Sequence, residues 1–428
     1  MAIETGFCKR ESKLKPEVFF DLMFYAASLS ENSSLERLVV YLQKQHGIEM
    51  RKQSLDERFT ESTVNFIKMV LSRLIHAQIS EALYCKEYLS AFNHVRIKDS
   101  TKFNIPENLA PYFKGSGGSG DVSLAGITIQ YEYDLKTSDS LDLNVTEAVR
   151  NDQSDAKATS KNICKNDLSI RDLGYFSTKA LKEIADQEAF FLSRLLTRTT
   201  VYEAKGVELD FKKLYVWMSK NRIERLEKAV LIGQKEQLPV RLIIGLVPPE
   251  VYEERLRRKE EECKKNGRQL KEMTKLFMHF NLFITNAKAE DLPAEKILTL
   301  YRFRWQVELM FKNWKSIFSI HKLQKMKYER YVSMLYIRLI LIIVNLQIVN
   351  RVQVSLSKQG ERKSILSYDK ALKTLKNCFY EILNILRGGK QKAIKLLGDI
   401  YQLLSKNHWR EKRKKRENYL ENIYLFTC

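Results

Sequence analysis

Tyr301-Arg-Phe-Arg-Trp-Gln-Val-Glu-Leu-Met-Phe-Lys-Asn-Trp-Lys315 carries two opposed faces when wound as a single helix. At about 100° per residue, Tyr301, Arg304, Glu308 and Lys315 fall within roughly 60° of arc, with Trp305 and Lys312 at its margin. Opposite them stand Phe303, Val307, Met310 and Trp314, apolar enough to pack the helix against a core. On one straight helix Lys315 stands about 21 Å along the axis from Tyr301, a span that follows several nucleotides. A carboxylate among cations and aromatics on a rigid support suits a metal-dependent site that cuts DNA. The same spacing also decorates solvated helices, where Arg304 with Glu308 and Glu308 with Lys312 are i,i+4 pairs contributing a few tenths of a kcal/mol each. The rest of the chain weighs between these two readings.

Charge favours the first. The chain of 428 residues carries a formal net charge of +21, spread along its length with one dense run at Arg410-Glu-Lys-Arg-Lys-Lys-Arg416. Such a field attracts polyanions, nucleic acid foremost. That terminal run serves equally as a grip on DNA or as a solvated, frayed helix. A membrane surface is the competing partner, but no lipidation motif is present. Hydrophobic residues at 44% and charged residues at 29% describe a folded globular chain, long enough for two or three domains or one elaborated core.

Cysteines at 8, 85, 164, 263, 378 and 428 form no CxxC pair, so neither a zinc ribbon nor a disulfide framework is expected. A reducing cytoplasm fits, and no signal peptide is expected because the N-terminal stretch lacks a long apolar run. Met334 to Val349 is the longest apolar run, and Arg338, Asn345 and Gln347 within it mark a buried helix rather than a membrane span.

Residues 1–90 read as a helical bundle, with Val18, Phe19, Leu22, Met23 and then Leu35, Leu38, Val39, Leu42 at helical spacing on either side of Ser30-Glu-Asn-Ser-Ser34. Residues 91–197 change to strands: His94–Lys98 ending at Asp99, Ile127–Leu135 alternating with period two, Leu141–Val145 placed to pair with it as a hairpin, and Asp167–Arg171 ending at Asp172. A helix over 179–189 and a strand over 190–195 follow, the start of a mixed sheet with crossover helices. Residues 198–275 read as a β-rich insertion, with strands at 207–211, 230–232 and 240–247 and a charged helix over 250–275. Residues 276–350 resume with a strand over 276–285 and then the helix of Tyr301–Lys315. Residues 351–428 are helical and basic. Gly115-Ser-Gly-Gly-Ser-Gly120 satisfies GxGxxG, but a strand rather than a helix follows it, so it reads as a flexible connection between strands.

Two aspartates stand at the ends of expected strands, in Ile97-Lys-Asp-Ser-Thr101 and Ile170-Arg-Asp-Leu-Gly-Tyr175. A carboxylate just past a strand end projects where a loop gives access to solvent and ligand, although Asp is also common in turns. With Glu308 these two would supply three hard oxygen ligands, suited to Mg²⁺ or Mn²⁺ rather than zinc. His94 and His321 lie near the candidate site in sequence, but three carboxylates do not need them.

At these residues the chain resembles the insertion-sequence-4 type of bacterial DDE transposases. The family hallmark Y-x2-R-x3-E-x6-K is matched without a gap by Tyr301, Arg304, Glu308 and Lys315, and Asp99 and Asp172 match the two family aspartates. The resemblance covers roughly residues 90–325. It implies an α/β fold with a ribonuclease-H-like mixed-sheet core, a β-rich insertion between Asp172 and Glu308, and flanking helical regions. It implies further that Asp99, Asp172 and Glu308 are the catalytic residues and hold Mg²⁺, with Mn²⁺ possible, for two-metal DNA strand cleavage and transfer. Tyr301, Arg304, Lys312 and Lys315 would contact phosphates, and Trp305 would stack on an unpaired base or serve in packing. The implied partners are double-stranded DNA, as transposon ends and target, and a second copy of the chain in a synaptic homodimer working at the bacterial nucleoid. The N-terminal bundle is expected to bind DNA ends by this analogy and by its charge. Two other classes remain: a nuclease or junction resolvase that cuts without strand transfer, and a non-catalytic DNA-binding descendant of a transposase.

Overall fold

A computed structural model describes residues 1–9, 12–29, 34–78, 89–116, 124–203, 206–358, 366–379, 382 and 388–409. The basic run 410–416, most of the glycine-rich stretch 115–120 and two cysteines, Cys85 and Cys428, lie outside the described residues. The helices are α1 (Pro16–Ser28), α2 (Leu35–His46), α3 (Lys52–Asp56), α4 (Glu61–His76), α5 (Asp152–Thr159), α6 (Thr178–Asp186), α7 (Phe211–Lys220), α8 (Pro249–Lys265), α9 (Glu272–Met278), α10 (Ala294–Arg302), α11 (Trp305–Ser316), α12 (Tyr328–Lys358), α13 (Tyr368–Asn377) and α14 (Gly389–Asn407). The strands are β1 (Val95–Asn104), β2 (Gly126–Asp134), β3 (Ser140–Glu147), β4 (Leu168–Arg171), β5 (Phe190–Arg194), β6 (Val201–Tyr202), β7 (Arg225–Ile232), β8 (Leu238–Leu246) and β9 (Phe280–Thr285).

These strands make one mixed sheet in the order β3-β2-β1-β4-β5-β9-β8-β7-β6. β1, β4 and β5 run parallel, while β2 with β3, β5 with β9, and β9 through β8 to β7 and β6 are antiparallel. The first five strands in that order are the ribonuclease-H-like core expected from the sequence, so the fold class holds.

The chain divides into two compact units: Met1–Tyr84, Ser100–Arg150 and Gln306–Cys428 in one, and Cys85–Asp99 with Asn151–Trp305 in the other. The polypeptide passes between them four times, after Tyr84, inside β1 between Asp99 and Ser100, after Arg150, and at the start of α11 between Trp305 and Gln306.

In the first unit, local signals set the N-terminal helices. The Ser34 side chain accepts from the Arg37 amide to open α2, Gly47 closes it at φ 65°, and Thr60 with Thr63 forms a reciprocal capping box on α4. α1 and α4 pack on α12. That helix is long and apolar enough to cross a membrane by composition, yet 83% of its most apolar window is buried within the protein, as Arg338 and Asn345 foretold. β2 is buried along its whole length. Its Tyr131 ring meets Trp314 at 4.9 Å and Phe311 at 6.4 Å, both edge-on, which fixes the apolar face of α11. Val307, Phe311 and Trp314 are the residues α11 buries.

In the second unit, α6, α7 and strands β5 and β7–β9 share a core that includes Ile184, Phe191, Leu214, Met218, Ile232, Leu242 and Ile284. The strands between 198 and 275 extend this sheet through the β8–β9 pairing. Three local expectations are corrected. Val207–Phe211 is not a strand: Asp210 Oδ1 accepts from the Lys212 and Lys213 amides and caps α7, leaving a single bridge between Tyr202 and Glu208. The helix expected over 250–275 ends at Lys265, with Gly267 at φ 59° just beyond, and resumes as α9. α9 runs to Met278, so the following strand begins at Phe280 rather than at 276.

Candidate active site

Strand pairing positions the two aspartates. β1 and β4 pair in parallel register from Val95 with Leu168 to Lys98 with Arg171, and Asp99 and Asp172 each follow the last paired residue. Carboxylates one step past the same end of adjacent parallel strands must lie side by side. Asp99 nevertheless lies within a strand, because β1 continues to Asn104 after its pairing with β4 stops. The expectation of a strand end at Asp99 is therefore corrected, and only Asp172 stands beyond its strand. Asp172 opens a 3-10 turn, Leu173–Tyr175, in which a Cβ on Gly174 would come within 3.1 Å of Asp152 Oδ2. The glycine of Asp-Leu-Gly-Tyr thus permits a close approach.

Arg304 gathers both carboxylates. Its Nη1 donates to Asp99 Oδ2 at 2.7 Å, and its Nε lies 3.4 Å from Asp172 Oδ1. One guanidinium therefore neutralises two carboxylates through different N–H groups. The side chains of Arg304, Asp99 and Asp172 are 17%, 14% and 42% exposed, so the cluster is open to water and ions.

This placement depends on a break the sequence did not announce. Tyr301–Lys315 is not one helix: α10 ends at Arg302, Phe303 and Arg304 form a turn, and α11 begins at Trp305. The Phe303 amide donates to the Leu300 carbonyl and the Arg304 amide to the Tyr301 carbonyl, both at 3.1 Å, the i to i−3 pattern of a tightened helix end. Arg-Phe-Arg-Trp holds no Gly or Pro to signal a break. Phe303 is buried at this turn and Arg304 makes its two ion pairs from it, tertiary contacts that local helix propensity does not encode.

Tyr301 is buried, with its hydroxyl donating to the Arg171 carbonyl at 3.4 Å and its ring edge-on to Phe283 at 5.2 Å. Burial, and secondarily the charge of Asp172, pushes its pKa up to about 12.

Glu308, Lys312 and Lys315 stand in the other unit. They line a groove of about 590 Å³ with Ser100, Thr101, Phe311 and His321. Glu308 and Lys312 are exposed. Lys315 Nζ donates to the Lys102 carbonyl at 3.0 Å and lies 5.9 Å from the Phe103 ring centre, and partial burial lowers its pKa. Trp305 is 48% exposed, so its ring is available for stacking. Burial and then the neighbouring cations Lys322, Lys315 and Arg338 lower the pKa of His321, which favours its neutral form. Among the described residues, no group of three His, Cys, Asp or Glu side chains is gathered closely enough to hold a metal ion.

Sequence reasoning missed what lies behind the aspartates. Lys98 is fully buried, with Nζ 2.9 Å from Asp155 Oδ2 and 3.3 Å from Thr159 Oγ1, both on α5. Arg96, two residues back on β1, pairs with the buried Asp167 at 3.1 Å. Strand alternation does signal that Arg96 and Lys98 share one face. A lysine between Ile97 and Asp99 in an expected core strand requires a carboxylate partner, but nothing local says that α5 supplies it.

Two acidic side chains just past the paired stretch of adjacent parallel strands in a ribonuclease-H-like sheet, beside basic side chains, define a class of enzymes that process polynucleotide phosphodiesters. Residues 91–346 match the family described as Transposase DDE domain, and the chain belongs to that family. Its members are metal-dependent enzymes that act on DNA. The chain is 30% identical to the transposase for insertion sequence element IS231F of Bacillus thuringiensis subsp. israelensis, over 98% of this chain and 91% of that protein. It is 28% identical to the IS231B transposase of Bacillus thuringiensis subsp. berliner over the same shares. To the IS1151 transposase of Clostridium perfringens it is 28% identical, over 82% of this chain and 77% of that protein.

Proposed function

We propose that this chain is the transposase of an insertion sequence, excising its element at terminal inverted repeats and joining the freed ends to target DNA. Asp99, Asp172 and Glu308 hold Mg²⁺ in this reading, with Mn²⁺ an alternative. The observation that supports it is the meeting of Asp99 and Asp172 on one guanidinium just past the last paired residues of β1 and β4. Their partly exposed oxygens are hard donors of the kind these ions take. Glu308, in the first turn of α11, is the third donor by its place in Tyr301-x2-Arg304-x3-Glu308-x6-Lys315.

Divalent cations held by Asp99, Asp172 and Glu308 would supply a water of lowered pKa and neutralise charge on the leaving oxygen of the phosphodiester. The chain's own groups do the remaining work. Arg304 can present two N–H groups to one phosphate, while Lys312 and Lys315 act as point charges in the groove beside Glu308. Tyr301 offers a neutral hydroxyl donor, and Trp305 a ring for an unpaired base. The cut leaves a 3′-hydroxyl that attacks target DNA in the same site, so no covalent protein–DNA intermediate forms. Two copies of the chain, each bound to one end through its N-terminal helices, form the synaptic complex at the nucleoid.

The test is cleavage of a duplex carrying the element end in Mg²⁺. Asp99→Ala, Asp172→Ala and Glu308→Ala each abolish cleavage and leave gel-shift binding largely intact. Undiminished cleavage by any one variant removes that residue from the site. Joining of a pre-cut 3′ end to a target plasmid separates a transposase from a nuclease that stops at cleavage.

A further inference from the structure

We propose that Arg304 is the resident counter-cation of the two aspartates: it competes with divalent metal for Asp99 and Asp172 and leaves them when the ions bind. This rests on the metal-site reading given above.

The argument starts from which atoms the guanidinium uses. Nη1 holds Asp99 Oδ2 at 2.7 Å and Nε approaches Asp172 Oδ1 at 3.4 Å. Those oxygens are the hard donors a divalent cation needs, and a unit positive charge already stands between them. Adding a dication at the same carboxylates while Arg304 stays places like charges a few ångströms apart, which is unfavourable at any protein dielectric.

Arg304 is also less sealed than the deeper cations. Its side chain is 17% exposed, whereas that of Lys98, on the same strand pair, is 0% exposed against Asp155. Arg304 sits in the turn between α10 and α11, on a long side chain whose planar fork suits a phosphate as well as a carboxylate. Without metal, then, Arg304 cancels the repulsion between two adjacent carboxylates and keeps them gathered. With metal, the same guanidinium becomes available to DNA. Metal uptake and phosphate capture are thereby coupled through one side chain, and the coupling acts in both directions.

The experiment measures Mn²⁺ binding to the full chain without DNA by electron paramagnetic resonance. Arg304→Gln and Arg304→Ala are expected to bind Mn²⁺ about ten-fold more tightly than the unaltered chain, because a competing charge is gone. A merely structural role would weaken binding instead. Arg304→Lys, which keeps the charge but loses the fork, is expected between the two.

A second measurement uses the unaltered chain, so misfolding of a variant does not leave the question open. Saturating Mn²⁺ is expected to speed phenylglyoxal modification of Arg304 several-fold, read by mass spectrometry, and to leave Arg241, clamped on Glu227, unchanged. Equal or weaker Mn²⁺ binding by Arg304→Gln, or modification of Arg304 indifferent to Mn²⁺, overturns the proposal while leaving the metal site standing. Mn²⁺ binding that does not depend on Asp99 or Asp172 overturns the metal-site reading, and this inference with it.

Discussion

Lys98 and Asp99 are neighbours on one strand, and each is half of an ion pair, yet the two pairs belong to different physical regimes. Lys98 with Asp155 is sealed, its side chains 0% and 2% exposed at 2.9 Å. Asp99 with Arg304 is comparably short, at 2.7 Å, but partly open, at 14% and 17%. In the sealed pair neither charge can be left alone, because water cannot replace the lost partner. In the partly open one, water can reach a charge left without its partner. Strand β1 thus carries a sealed ion pair on its covered face and, one residue further on, a partly open one. The difference follows from alternation along a strand combined with what covers each face, α5 in one case and a helix-to-helix turn in the other.

The strongest way to break this comparison is to remove one half of the sealed pair. Lys98→Met strands the Asp155 carboxylate and should cost about 3–5 kcal/mol in urea unfolding. Adding Asp155→Leu should recover most of that loss, since a matched apolar pair needs no counter-charge. A loss below about 1 kcal/mol for Lys98→Met, the range of exposed pairs, would mean that water reaches Asp155 and that the two pairs are alike after all.

Arg304→Gln is the matching test on the open side, with a smaller expected effect. Without metal it should cost no more than about 1 kcal/mol, because the carboxylates it serves are partly solvated. Raising salt should shrink the difference from the unaltered chain, since ions screen exposed charges far better than buried ones. A salt-independent loss as large as that of Lys98→Met would make Arg304 a structural strut rather than an exchangeable partner.

How far the sequence foresaw this depends on whether each signal is local. Asp99 and Asp172 were legible because each follows a short β-type run, and β1 and β4 do pair in the register that aligns them. The β2–β3 hairpin was legible from period-two alternation. The buried face of α11 was legible from helical spacing, and Val307 and Trp314 are among the residues it buries. What escaped was set by distant contacts. The turn at Phe303 and Arg304 carries no breaker residue, and what it achieves, the placing of Arg304 on Asp99 and Asp172, is a contact distant in sequence. α5 is short and polar, and its importance lies in Asp155 and Thr159, whose partner is Lys98. Asp210, read as part of a strand, acts as a helix cap because its side chain satisfies amides two and three residues on.

Tyr301→Phe gives the smallest effect and sharpens the comparison most finely. The hydroxyl contacts the Arg171 carbonyl at 3.4 Å, a long hydrogen bond, while the ring packs edge-on against Phe283 and is kept by the substitution. Loss of stability should therefore stay below about 1 kcal/mol. Because its pKa is pushed up to about 12, above the ordinary tyrosine value, the hydroxyl keeps its proton across neutral pH and adds no alkaline limb near neutrality to the cleavage profile. A neutral donor releases no counterion, so the salt dependence of DNA binding should not change even where cleavage slows. Slower cleavage with an unchanged salt slope would join Tyr301 to Arg304 on the exchangeable side, as a hydroxyl that trades Arg171 for a phosphate. Cleavage at the unaltered rate would leave Tyr301 with the permanent contacts, and Arg304 as the group in the second unit that changes partners.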